Sequence, residues 1–196
     1  DIVIDNDGSI TEIAGTDTNT DNSGSIDTVS STNAVITSSG SIDTINVDTL
    51  NLTNREGGTV DTSITTTGQA FIDNAGTIDA TITTGDADDT ILNSGTINGD
   101  IDLGAGNDSI TEGAARTITG SITMGLGNDN LLVEAGGNID NSFIDFTDGV
   151  SDAGDDTLTN RGSIVTGIID FGDADTTGGE TDDVLTNNGG TIEITN

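Results

Sequence analysis

The sequence predicts an all-β chain, a single-stranded parallel β-solenoid (a right-handed β-helix) of about ten coils that widens toward its C-terminal end. Three observations predict it. A Gly, Ser/Thr, apolar triplet recurs along the whole chain, with apolar anchors at Ile10, Ile26, Ile42, Val60, Ile78, Ile97, Ile118, Ile139, Ile164 and Ile192. A glycine stands two residues before each anchor, with Arg116 as the exception, and a Ser or Thr stands one before, with Asn138 as the exception. The segments between anchors are β-branched, Gly-rich and Asx-rich, without the Ala, Leu, Glu and Lys runs of a helix.

The anchor spacings are 16, 16, 18, 18, 19, 21, 21, 25 and 28 residues, so each coil is as long as the last or longer. The chain reads as one continuous solenoid over 1–196, with short coils over 1–70 and longer coils over 71–196. A second apolar residue follows four places after the anchor at Ile64, Ile82, Ile101, Ile122 and Ile168, an even spacing that puts both side chains on one face of a strand. In the first three coils the follower comes three places on, at Ile13, Val29 and Ile45, which implies a corner there. One coil buries too few apolar side chains to fold alone. Stacked coils form a continuous Ile/Val column, and about ten levels at roughly 4.8 Å make a rod on the order of 45 Å long. Handedness follows the right-handed rule for parallel crossovers. Asn6, Asn22, Asn74, Asn93, Asn160 and Asn188, with Asn54 displaced by an insertion, form an Asn column suited to turns and to amide stacking.

Composition alone points elsewhere. Hydrophobic content of 31%, aromatic content of 2% and a net charge of −32 read as an unfolded acidic chain, and it is the periodicity that overturns that reading. Three Lys+Arg against 35 Asp+Glu exclude nucleic acid and anionic membrane surfaces as partners, and favour multivalent cations. Cysteine is absent, so disulfides and thiolate metal sites are excluded. No apolar run approaches the length of a membrane span. Asp1 opens directly into Ile2-Val3-Ile4, as expected for a segment or subunit of a longer secreted fibre.

The chemistry is concentrated in a second column of acidic turns. Asp88-Asp89, Asn107-Asp108, Asn128-Asp129, Asp155-Asp156 and Asp182-Asp183 each precede the next Ile anchor by a similar distance, so their carboxylates should line one edge. Stacked carboxylates about 5 Å apart repel by about 3 kcal/mol per neighbouring pair at an effective dielectric near 20. A cation between them, or a solvated acidic edge that blocks sideways aggregation, would relieve this.

Leu103-Gly104-Ala105-Gly106-Asn107-Asp108 and Met124-Gly125-Leu126-Gly127-Asn128-Asp129 resemble the calcium-binding nonapeptide of RTX proteins. That resemblance implies Ca²⁺ held by Gly104, Gly106 and Asp108, and by Gly125, Gly127 and Asp129. The chain departs from the family where Leu103 and Met124 replace the first glycine, and where the motif recurs after 21 residues rather than nine. Asn-Ser-Gly-Thr-Ile (93–97) together with the 103–108 turn also resembles bacterial autotransporter passenger domains and similar secreted adhesins, strongly over 71–196 and more weakly over 1–70. It implies export and display at the outer surface of a bacterium.

Three functions compete. A structural stalk, fibre or matrix protein predicts end-to-end self-association through uncapped strands such as Ile2–Ile4 and Thr191–Thr195. An adhesin contacting surface glycans or cells would use the longer turns, Phe146 to Asp156 and Phe171 to Asp183, but lacks Trp and Tyr for sugar stacking. A polysaccharide-degrading enzyme would need a base or cation at its substrate, whereas His and Lys are missing and Arg55, Arg116 and Arg161 belong to separate coils. Calcium-dependent ice-binding solenoids carry Thr where this chain has Ala105 and Leu126, which removes half of that outward array.

Overall fold

The computed structural model describes residues 2–141, 143–147, 154–172 and 183–195. Every strand pairing among them is parallel and joins one coil to the next, as a parallel β-solenoid requires. The short N-terminal coils run as nearly continuous strands: β1 (Ile2–Asn6), β2 (Ser9–Asn22), β3 (Ser25–Ser38) and β4 (Ser41–Asn54). The fourth coil divides into β5 (Thr59–Thr66) and β6 (Ala70–Asn74). Three short strands then serve each coil: β7 (Thr77–Ile78), β8 (Thr81–Thr83) and β9 (Thr90–Asn93), followed by β10 (Thr96–Ile97), β11 (Ile101–Asp102) and β12 (Ser109–Glu112). The same division gives β13 (Thr117–Ile118), β14 (Ile122–Thr123) and β15 (Asn130–Val133), then β16 (Asn138–Asp140), β17 (Phe143–Asp145) and β18 (Thr157–Asn160). The last strands are β19 (Ser163–Thr166), β20 (Ile168–Asp170), β21 (Val184–Asn187) and β22 (Thr191–Ile194). The residues added as coils lengthen thus enter turns between strands, because the stacked strand segments must keep their register.

The anchors stack as expected: Ile26 lies against Ile42, Ile42 against Val60, and the column continues to Ile192. The solenoid makes about eight turns, slightly fewer than the ten coils expected. The difference lies at the ends. The eight anchors from Ile26 to Ile164 are fully buried, whereas Ile10 and Ile192 are only partly covered. The second column runs Ile13, Val29, Ile45, Ile64, Ile82, Ile101, Ile122, Ile144 and Ile169. Its change from a three- to a four-residue spacing is absorbed by a register shift between Ile42 and Thr44, where β4 meets β5. Ile168 was expected in this column. It pairs with Phe143 and is half exposed, and Ile169 takes the inward place. A third buried column, from Ile36 and Leu52 through Ile72, Ile91, Ile110 and Leu131 to Leu158, completes the core.

The Asn column forms a buried amide spine. Asn6 donates to Asn22 (2.7 Å), Asn54 to Asn74 (2.8 Å), Asn74 to Asn93 (2.8 Å) and Asn160 to Asn187 (3.1 Å). Two expectations need correction. Asn187 fills the last position instead of Asn188, and Asn54 is in register with Asn74. In both coils the extra turn residue falls after the asparagine and is taken up by a left-handed glycine, Gly57 (φ 85°) or Gly189 (φ 85°).

Ala115 meets the same demand at φ 63° without being glycine. An L-residue there costs roughly 1–2 kcal/mol. Ala115→Gly is therefore expected to raise stability, by about 1 kcal/mol after the entropic penalty of glycine, as a higher urea midpoint at unchanged m-value.

Candidate functional site

The acidic turns connect β8 to β9, β11 to β12, β14 to β15, β17 to β18 and β20 to β21. Among the described residues of these turns the strand ladder is interrupted, leaving backbone N–H groups that require acceptors. The Asx-Asp pairs supply them in two side-chain ladders that run in opposite directions.

The second residue of each pair points inward. It lies two positions before a core residue (Asp89 before Ile91, Asp108 before Ile110), and strand alternation turns both to the same side. Asp89, Asp108, Asp129 and Asp156 are at most 2% exposed. Each accepts a hydrogen bond from the coil before it. Ala70 N–H donates to Asp89 (2.6 Å), Asp89 N–H to Asp108 (2.8 Å), Asp108 N–H to Asp129 (2.8 Å), Asp129 N–H to Asp156 (2.8 Å) and Asp156 N–H to Asp183 (3.0 Å). The outer residues, Asp88, Asn107, Asn128 and Asp155, are exposed, and the first three accept in the other direction. Asn107 N–H donates to Asp88 (2.7 Å), Asn128 N–H to Asn107 (3.0 Å) and Asp155 N–H to Asn128 (2.7 Å). Asp182 lies outside the described residues, as does most of the two long turns expected to carry an adhesin site.

The glycines are required by geometry. Gly104 (φ 84°), Gly106 (φ 133°), Gly125 (φ 98°) and Gly127 (φ 133°) adopt left-handed backbone. A Cβ on Gly125 or Gly127 would collide with the carbonyl of Gly104 or Gly106 one coil below. Leu103 and Met124, at the family's first glycine position, are fully buried core residues. The acidic turns, an edge by their sequence, have an inner half that is interior. Glu112 is also fully buried, and a single glutamate carries no motif that signals this in the sequence.

Burial sets the electrostatics. Desolvation pushes Asp108 up to about 8; the Asp89 N–H opposes this, while the charges of Asp129, Asp89 and Asp88 reinforce it. Asp89 is also raised by burial, opposed by the nearby Thr84 hydroxyl and the Ala70 N–H. The Thr84 hydrogen is itself directed at the Leu103 carbonyl (2.7 Å). Asp89 Oδ2 and Asp108 Oδ2 are buried without a hydrogen-bond partner.

These two buried oxygens are free to act as donors to a cation. Calcium takes six to eight oxygens. The Gly104 carbonyl is already committed to Leu126 N–H (2.9 Å), and no three acidic side chains among the described residues converge on one point. Among the described residues, carboxylates alone therefore form no closed calcium cage.

Fold and site together define a repeat protein of the parallel β-solenoid class, with buried amide and carboxylate ladders. Compared with family models, curated proteins and solved structures, the chain finds no match.

Proposed function

We propose that this chain is a non-enzymatic structural module, a stalk or filament segment of a bacterial cell surface or extracellular matrix, built by coil stacking and self-associating end to end. The observation that carries the proposal is the unbroken core. One cluster runs from Ile13 to Ile164 along parallel coils whose polar spines are spent on backbone hydrogen bonds. Such an interior serves mechanical continuity. The terminal strands leave inward-facing apolar side chains uncovered, with Ile2 39% and Ile194 53% exposed, surfaces that further coils of the same kind would cover. Sedimentation of the 196-residue chain over a concentration series, with and without calcium, tests this. Concentration-dependent, elongating species are expected. A monodisperse monomer at every concentration would overturn it.

Calcium enters the proposal as a counter-ion of a polyelectrolyte with net charge −32. Millimolar Ca²⁺ and Mg²⁺ are expected to raise the thermal midpoint by similar amounts, read by circular dichroism after chelator treatment. A coil-to-β conversion specific to micromolar Ca²⁺ would instead require a caged site, and no response to either ion would remove calcium from the account.

A further inference from the structure

Glu112 belongs to neither carboxylate ladder. It ends β12 at a position of the amide spine, between Asn93 of β9 and Val133 of β15, and is fully buried. Its Oε2 accepts from Asn93 Nδ2 at 2.6 Å, while Oε1 is buried without a hydrogen-bond partner. Val133 offers no polar atom to continue the chain of hydrogen bonds. The spine that passes through Asn54, Asn74 and Asn93 therefore stops at this level and resumes at Asn160.

The surroundings give an ionised carboxyl little compensation. From β9 it meets the neutral Asn93 amide, from β15 the Val133 side chain, and from β16 the Asn138 backbone N–H. Asp108 immediately precedes the first residue of the same strand. Arg116 is exposed in the following turn, and Glu134 in the turn above is paired with Arg161 at 3.2 Å. A buried carboxylate with one side-chain donor is costly. Burial pushes Glu112 up to about 7, outweighing the Asn93 hydrogen bond and the nearby Asn138 N–H, which itself donates to the Arg116 carbonyl (3.1 Å).

We propose that Glu112 makes the β12–β15 contact a proton-dependent seam: the coils are closed while its carboxyl is neutral, and they part here first when it ionises. The sign follows from linkage. An acid raised from 4.5 to about 7 on folding adds stability that is present below the unfolded value and lost as pH rises to about 7. The rod would thus hold firm in acid and loosen at one level in neutral to alkaline medium.

The test compares the wild-type chain with Glu112→Gln, which has the shape of the protonated acid and cannot ionise. Urea midpoints should lie closest at pH 4, below the unfolded value, with the variant higher at pH 8. In the wild type, amide exchange across 109–112 and 130–133, corrected for intrinsic rates, should accelerate between these pH values about tenfold more than across 25–54. That excess should fall at 112 and 133 in the variant, while the share owed to Asp108 remains at 109 and 130. Parallel urea curves, or uniform acceleration along the wild-type rod, would overturn the seam. If the variant does not fold, the wild-type exchange pattern decides alone.

Discussion

Gly125→Ala and Gly127→Ala should each destabilise the chain by about 3 kcal/mol or more, enough to unfold much of it at room temperature. Two penalties coincide at these positions. The backbone is left-handed, at φ 98° and 133°, where an L-residue is strained. The new methyl would also meet the carbonyl of the glycine one coil below, a backbone atom that cannot move without breaking the coil stack. Gly57→Ala separates the two contributions, since Gly57 has φ 85° but nothing within 4 Å of its missing Cβ. It should lose only about 1 kcal/mol. Urea denaturation of the three variants checks the ranking. Equal losses at all three would mean that coil-to-coil contact at the acidic turns is looser than described.

The second large effect is on pH dependence. Asp108 rises from 3.8 to about 8 on folding, so between these values the native state holds a proton that the unfolded chain has released. Stability should therefore be greatest near pH 4–5 and fall as pH rises to about 8, by on the order of 5 kcal/mol from this residue. Self-repulsion of the −32 chain acts with the same sign. Asp108→Asn retains an oxygen to accept the Asp89 N–H and cannot ionise, so its urea midpoint should vary much less across this window. A wild-type chain more stable at pH 8 than at pH 5 would refute the buried inner ladder.

Most of the architecture was legible because a solenoid repeats its constraints. Gly24, Gly40, Gly76 and Gly95 lie where the preceding coil leaves no room for a side chain, and Ile26, Ile42, Ile78 and Ile97 lie where only an apolar one fits. The acidic turns were legible as a stack but not as an interior one. Charge suggested an outer edge, although the two-residue offset of Asp89 and Asp108 from Ile91 and Ile110 already carried the inward direction. The last Asn was misplaced for a different reason: Asn187 and Asn188 are chemically alike, and only the extra left-handed residue, Gly189, decides which one reaches Asn160. Ile168 and Ile169 posed the same ambiguity, resolved by pairing with Phe143 and Ile144.

Coil stacking itself is tested most directly by a triple cysteine variant, Val35→Cys, Asp43→Cys and Asn51→Cys, in a chain with no native cysteine. Positions 35 and 51 are exposed and in register on β3 and β4, and parallel neighbours about 4.8 Å apart are within disulfide reach. Asp43 is exposed half a coil away from Asn51 on the same strand. Loop closure in a disordered chain favours the shorter 35–43 and 43–51 bridges. Mild oxidation followed by peptide mapping should yield the 35–51 bridge almost alone. Predominance of either bridge to position 43 would contradict the stacked solenoid.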